Sequence, residues 1–345
     1  MILKPIMIRN IQIRNRIVMP PMKTGRANDD GTVSDDLIRY YKLRARRLGL
    51  VITEHHYIRK DGIASANQVS VSRDSDICGL SKIARAVHEE GTKILMQLNH
   101  AGSASTRELA GEQVKSASAV IRPSLNGRIA QMPRPLTGEE IRDLTVCFGD
   151  AACRAKEAGY DGVEIHSAHG YLLNQFFSPL TNRREDAYNG QTIEGRIRFQ
   201  REVLREVRSR TGTDFLIALR LGGCDYSNQI AWRVPDCEGN IVNRGSTIDD
   251  AVKAARIFEQ DGDLDLLDLS GGMCGYVIPG RQGPGYMKDL SSGVKAACRL
   301  PVILTGGVNT ADEADTLLQE NAADLIGIGR AIFADEDWAL KNIQE

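Results

Sequence analysis

The sequence predicts a TIM (β/α)8 barrel. Three observations carry that prediction. Eight short runs rich in Val, Ile and Leu recur along the chain, helical periodicity fills the intervals between them, and no dinucleotide fingerprint follows the first run. A parallel sheet closed on itself accounts for strands that alternate with helices in this way. The alternative is a doubly wound open sheet, which would want GxGxxG after the first strand, where this chain has MPPMKTG (19–25).

Residues 3–14 (LKPIMIRNIQIR) alternate weakly and are expected to form a short hairpin closing the barrel bottom. RIVMPP (16–21) and LVITEHH (50–56) are the first two barrel strands. A helix follows with Leu80, Ile83, Ala84 and Val87 on one stripe and Gly91 as its stop, leading into the third strand, KILMQLNH (93–100). Residues 101–136 lack a helical period and hold clusters of Gly, Ser and Pro, so they are expected to form a flap without a helix. Thr137 with Glu140 then makes a capping box: the threonine accepts from an otherwise orphan backbone N–H, and the glutamate reaches back. DGVEIHSAHG (161–170) is the fourth strand and its turn. Ile193, Ile197, Gln200, Leu204 and Val207 stripe the next helix, which Gly212 ends. FLIALRLGG (215–223), LDLLDLSGG (264–272), PVILTGGV (301–308) and ADLIGIGRA (323–331) complete the set, with a second capping box, Thr310 and Glu313, between the last two. The segments 222–246 and 271–287 are long, Gly-rich loops after strands five and six, at the strand ends where such barrels keep their chemistry. The Arg-rich stretch 196–210 is interleaved with Glu, as a solvated helix face would be.

An apolar content of 42%, a charged content of 26% and a net charge of -1 describe an ordinary globular chain, and residues 1–345 are expected to form a single domain. The balanced charge gives no electrostatic reason to expect nucleic acid or an anionic membrane as partner. The start, MILKPIMIRN, lacks the apolar core of a signal peptide, and no apolar run reaches membrane-spanning length, so the expected location is cytoplasmic. Cysteines 78, 147, 153, 224, 237, 274 and 298 are scattered and never form CxxC, which argues against zinc ribbons, iron–sulfur clusters and a disulfide framework; free buried thiols are expected.

Period two sorts the polar residues of the strands. Val163 and Ile165 share the face suited to packing under helices, and Glu164 and His166 share the inward one. Ile217 and Leu219 point outward while Arg220 points in; Ile94, Met96 and Leu98 point outward while Gln97 points in. His166, Arg220 and Gln97 therefore converge near the C-terminal rim of one cavity. TGGV (305–308) and GIGRA (327–331) put glycines at the ends of strands seven and eight, where barrels often bind phosphate, and Arg330 offers a bidentate clamp. Together these suggest a phosphorylated cofactor lying across the barrel mouth. The stretch EIHSAHGY (164–171) adds two histidines and a tyrosine, suited either to metal ligation or to gripping and protonating something small.

HSAHGYLLNQFFSPLTNRREDAYNG (166–190) closely resembles the Old Yellow Enzyme family of FMN-dependent oxidoreductases, as do MPPMKT (19–24), LMQLNHAG (95–102), ALRLG (218–222), LTGGV (304–308) and IGIGRAIFADEDW (326–338). The likeness runs from about residue 3 to 340. It implies FMN as cofactor, NADH or NADPH as reductant and an activated alkene as the small-molecule substrate, in a homo-oligomer. By the same resemblance Pro21 and Met22 lie along the flavin, Gln97 bonds its pyrimidine edge, and Arg220 sits near N1 and C2=O. Gly306, Gly307, Gly329 and Arg330 hold the phosphate, His166 and His169 donate to the substrate's activating oxygen, and Tyr171 is the proton donor. Two positions depart from the family pattern: Lys23, where Thr, Cys or His is usual near C4=O and N5, and His55, where a small residue usually meets the flavin.

The implied chemistry suits these side chains. Hydride addition to the β-carbon of an enone leaves charge on the carbonyl oxygen, which two imidazole N–H donors stabilise as an oxyanion hole. The α-carbon then needs a proton from a group still protonated at neutral pH, which a phenol with a pKa near ~10 is. The dienoyl-CoA reductase branch of the family adds an iron–sulfur cluster and an FAD/NAD-binding half. With Glu345 as the last residue and no Cys cluster, direct reduction by a nicotinamide in a ping-pong cycle is expected. The runner-up readings are an FMN-dependent amine or N-methyl dehydrogenase on the same scaffold, and a zinc-dependent barrel hydrolase, which would want an HxH on the first strand that RIVMPP lacks.

Overall fold

A computed structural model describes residues 1–122, 131–228 and 244–344, with backbone alone at 234–235 and 241–242. Eight parallel strands close into a barrel: β1 (Ile17–Met19), β2 (Leu50–Tyr57), β3 (Lys93–Asn99), β4 (Gly162–Ser167), β5 (Leu216–Cys224), β6 (Leu266–Gly271), β7 (Val302–Thr305) and β8 (Leu325–Gly327). Each pairs with its sequence neighbours, and β8 returns to β1. All eight runs singled out in the sequence are these strands.

Alternation along the strands produces two apolar layers. Ile94, Met96, Leu98, Val163, Ile165, Ile217 and Leu219 face outward into the core beneath the helices. Val18, Leu50, Ile52, Leu95, Leu216 and Ile303 face inward. That inner layer would meet water at the open bottom were it not for the antiparallel hairpin Ile6–Ile8/Ile11–Ile13, whose isoleucines join it; Ile13 is fully buried. The hairpin plug expected at 3–14 is present.

The helix over Ile77–His88 buries its predicted stripe, and Gly91 past its end takes φ +72°. Both predicted capping boxes are made, at Gly138–Glu157 and Ala311–Gln319, and Thr247 with Asp250 adds a third at Ile248–Asp261.

Three expectations need correction. The flap is not free of helix: a turn of helix at Arg107–Ala110 starts at a Thr106 cap and stops at Gly111 in the left-handed conformation, a signal too short to register as a period. The Arg-rich helix Ile193–Thr211 is less solvated than its Glu interleaving suggested. Arg196 is buried on Asp250 at 2.5 Å, Arg208 reaches Asp265 at 2.5 Å, and Arg201 pairs with Asp261 at 2.6 Å, so the arginines tie this helix to its neighbours. The six described cysteines are free, but only Cys224 and Cys274 are buried; Cys78 is exposed, and Cys237 lies outside the described residues.

The flap is fastened to the barrel through Asp61. Its carboxylate takes two bonds from Arg59 at 2.7 Å, one from the buried Lys115 at 2.9 Å, and faces His100 at 3.4 Å. Burial raises the Asp61 pKa, but the hydrogen bonds from His100 and Arg59 outweigh it and hold the group far below the usual carboxylate range.

Candidate active site

The inward polar residues stand at matching heights on adjacent strands. Gln97 pairs in register with Glu164, His166 with Arg220, and Arg220 with Asp268. Gln97 donates its amide to Glu164 Oε1 at 2.7 Å, while Arg220 lies 3.3 Å from Asp268 and donates to the Pro21 carbonyl at 3.4 Å. Glu164 Oε2 and both carboxylate oxygens of Asp268 are buried without a donor. Burial and the charge of Asp268 push Glu164 well above its ordinary value, and burial pushes Asp268 up as well. Burial and like charge thus disfavour both carboxyls being ionised together. Asp268 lay within reach of the alternation argument, since Leu267 and Leu269 flank it on the outward face.

Above this floor the rings cluster. His166, at the end of β4, lies 4.9 Å from Tyr171 and 5.2 Å from His169 between ring centroids, both edge-on. The turn after β4 brings them together: His169 takes φ +57° and Gly170 φ +73°, so the chain doubles back before Tyr171 caps the helix Leu172–Phe177. Burial lowers both histidines well below the usual imidazole range, helped at His166 by the neighbouring His169 and at His169 by Arg220. Both rings are neutral at neutral pH, and His169 Nε2 is 2.7 Å from the Ser270 hydroxyl. His55 joins from β2, 5.6 Å from Tyr171 and 6.4 Å from His166. Among the described residues, no group of three or more His, Cys, Asp or Glu side chains is placed to hold a metal.

The loop after β1 carries Pro21, Met22 and Lys23 to the rim, with Lys23 exposed. A residue that the sequence reading missed anchors it: Glu54, fully buried on β2, accepts from the Thr24 hydroxyl at 2.5 Å and its N–H at 3.2 Å. Asp225, equally unforeseen, ties the loops after β5 and β6 together through the N–H groups of Ser246 (2.7 Å) and Met273 (2.6 Å).

At the ends of β7 and β8 the glycines form a cradle. Gly307 has φ +73°, and a Cβ there would sit 1.9 Å from the Gly283 carbonyl, so no other residue fits. Gly329 lies against Met22, with 3.2 Å from its ideal Cβ to the sulfur. The backbone N–H groups of Gly307, Val308 and Gly329 make no hydrogen bond among the described residues, and Arg330 is exposed without a partner there. Tyr286 covers Gly306, its ring atoms 3.1 Å from an ideal Cβ. A flat ring with a carbonyl edge and a phosphate tail suits this donor set: Gln97 and Arg220 at one end, free N–H groups and a free guanidinium at the other.

The model of the NADH:flavin oxidoreductase / NADH oxidase family matches residues 1–345. The chain belongs to that family. It is 36% identical over 340 residues to an NADH oxidase of Thermoanaerobacter brockii, covering 97% of this chain and 49% of that protein. It is 32% identical over 338 residues to an NADPH dehydrogenase of Clostridium acetobutylicum, covering 97% of this chain and 92% of that one. The chain thus spans about half the length of the first relative and nearly all of the second. Among solved structures, an old yellow enzyme homologue from Zymomonas mobilis superposes with a TM-score of 0.82 at 27% identity, covering 99% of this chain and 91% of that one. Family membership makes FMN the cofactor and confirms the closed barrel as the family's fold. No helix among the described residues is long and apolar enough to cross a membrane.

Proposed function

We propose that this chain uses NAD(P)H to reduce the activated C=C bond of α,β-unsaturated carbonyl and related compounds, with FMN across the barrel mouth. The observation that carries the reading is the convergence of two neutral imidazoles and a phenol, with ring centroids 4.9 and 5.2 Å apart, over a floor of Gln97 and Arg220. Pro21, Met22, Lys23 and His55 border the flavin, Gln97 and Arg220 bond its pyrimidine edge, and Gly306, Gly307, Gly329 and Arg330 hold its phosphate. The bound FMN supplies the hydride.

The chain's own residues do the rest. His166 and His169 donate to the substrate's carbonyl oxygen and stabilise the charge that develops there. Their low pKa values suit this, because a neutral imidazole is not drained of its proton by the oxyanion. Tyr171 delivers its phenolic proton to the α-carbon. Arg220 holds a positive charge where negative charge accumulates on the reduced ring, and the raised pKa of Glu164 limits the anionic charge packed around it. An amine substrate has no carbonyl oxygen on which His166 and His169 could stabilise developing negative charge, so the amine-dehydrogenase reading is the weaker one.

The test is direct. Purified protein should be yellow with a flavin spectrum, bleach with NADH or NADPH, and regain colour with enones, nitroalkenes or quinones. A colourless protein that carries stoichiometric zinc would end the proposal. So would a reduced flavin that none of these acceptors reoxidises.

A further inference from the structure

Of the rings clustered at the mouth, His55 borders the flavin but moves neither hydride nor proton in the chemistry just described, yet its protonation is fixed by its surroundings. Gln68 Oε1 accepts from the Ala64 backbone N–H at 2.7 Å, which turns the Gln68 NH2 toward His55. That NH2 donates to His55 Nδ1 at 2.7 Å and to the His55 carbonyl at 3.0 Å. An Nδ1 that accepts leaves the ring proton on Nε2. Burial, then the charges of His56 and Lys23, holds the His55 pKa down to about 3, so the ring is a neutral donor at any working pH. The residue is 8% exposed, and Nε2 is neither hydrogen-bonded nor among the fully buried polar atoms, so it opens onto the cavity.

Its position differs from that of the other two imidazoles. His55 makes ring contacts with His166 and Tyr171 and none with His169, so it lies nearer to His166 than to His169. A carbonyl oxygen has two lone pairs, and His166 and His169 fill both. A substrate with that oxygen alone would seal the His55 N–H from water with nothing to accept it. A site with a buried donor rejects the ligand that leaves it unpaired.

We propose that His55 is a specificity-determining residue that selects alkenes with a second oxygen acceptor at the far end, the ene-diones and 4-oxo-2-enoates. The inference rests on the reading of this site as an alkene reductase. His166 and His169 hold one oxygen, and His55 Nε2–H holds the other. The reaction is an ordinary two-electron reduction with NAD(P)H as reductant: the C=C π bond is replaced by two C–H bonds, one hydrogen arriving as hydride at the β-carbon and one as the Tyr171 proton at the α-carbon.

Three acyclic substrates that differ at one end decide the matter in the holoenzyme: 3-penten-2-one, 3-hexene-2,5-dione and 4-oxo-2-pentenoate. The quantity read is kcat/KM for each two-acceptor substrate divided by kcat/KM for the simple enone. His55→Ala should lower both ratios by about tenfold, the usual scale for one lost hydrogen bond. His55→Gln, which returns an N–H near the same place, should restore most of the loss. Independently of turnover, nitrogen-15 spectra of the histidines should place the His55 proton on Nε2, and Gln68→Leu should release that preference. Unchanged ratios in His55→Ala overturn the proposal, as does a His55 proton on Nδ1. Equal losses on all three substrates with a shifted flavin potential would assign His55 to the flavin and overturn it too. If none of the three reoxidises the reduced parent protein while quinones do, the alkene-reductase reading falls, a failure distinct from an unchanged ratio.

Discussion

Tyr171 separates the two half-reactions of the proposed cycle. Reduction of the flavin by a nicotinamide needs no phenol, whereas reduction of an enone needs a proton at the α-carbon. Tyr171→Phe keeps the ring beside His166 and His55 and deletes the hydroxyl. Stopped-flow traces should show near-normal bleaching and a reoxidation by cyclohexenone slowed on the order of 10²- to 10⁴-fold. Nitroalkenes, whose nitronate product leaves unprotonated, should be far less affected; reoxidation by cyclohexenone at the parent rate would remove Tyr171 from the mechanism. The imidazoles leave a second signature. His166 and His169 lie well below the ordinary value, His55 falls to about 3 and His56 to about 4, in each case through burial first. Below a pH of about 6.5 the unfolded chain takes up protons that the folded one refuses, at about 1.4 kcal/mol per pH unit for each group. Stability should therefore be fully present above that pH and fall by several kcal/mol towards pH 5. Urea denaturation at pH 7.5, 6.5 and 5.5 measures it, and a flat result would mean that these rings are charged in the folded protein.

Among the elements, the N-terminal hairpin and the cradle after β7 and β8 make opposite demands. The hairpin acts by bulk: Ile13 is fully buried in the barrel interior beside Ile8 and Val18. Ile13→Ala should cost about 2–5 kcal/mol, because closed strands cannot collapse onto the cavity. A fall in melting temperature at unchanged flavin content is the expected readout, and an unchanged melting temperature would mean that the hairpin is dispensable. The cradle acts by charge and free N–H groups. Arg330 is exposed and unpartnered among the described residues, so Arg330→Ala should leave melting of the flavin-free protein within about 0.5 kcal/mol, as for other surface changes. FMN should be lost more readily on dilution, as followed by fluorescence; unchanged affinity would count against the phosphate site there.

For the molecule as a whole, the flap between β3 and the helix Gly138–Glu157 is held by buried charge as well as by apolar packing. Lys115 is 8% exposed and reaches Asp61 at 2.9 Å, Glu112 at 3.0 Å and Glu140 at 3.7 Å, the last of these a capping-box residue of that helix. Asp61→Asn leaves Lys115 and Arg59 short of a partner, a change worth on the order of 3 kcal/mol when the ion pair is buried. Hydrogen exchange should then rise across 102–122 while β3 keeps its protection. Equal protection in both proteins would show that the flap does not depend on this network.

The sequence by itself determined the barrel, its order and the sides its strand residues face. Period-two alternation and two Thr-x-x-Glu boxes are local facts, and the eight runs, the plug and the inward set Gln97, Glu164, His166 and Arg220 all follow from them. The glycine pairs at 306–307 and 327–329 were legible for the same reason, since their backbone demands are written at single positions. Contacts between distant segments were not. The juxtaposition of Glu164 and Asp268 around Arg220, the Glu54 clamp on Thr24 and the Asp61 network each join residues from different strands or loops. The paired arginines of the helix Ile193–Thr211 look solvated in sequence because their partners, Asp250, Asp261 and Asp265, lie more than 50 positions away, Asp250 being 54 positions from Arg196. His55 is the clearest case. The sequence marks it as unusual, but only the folded chain brings the Gln68 amide to its Nδ1 and so decides which nitrogen carries the proton. Alternation is set by the backbone within a strand, whereas protonation is set by whatever the fold places alongside.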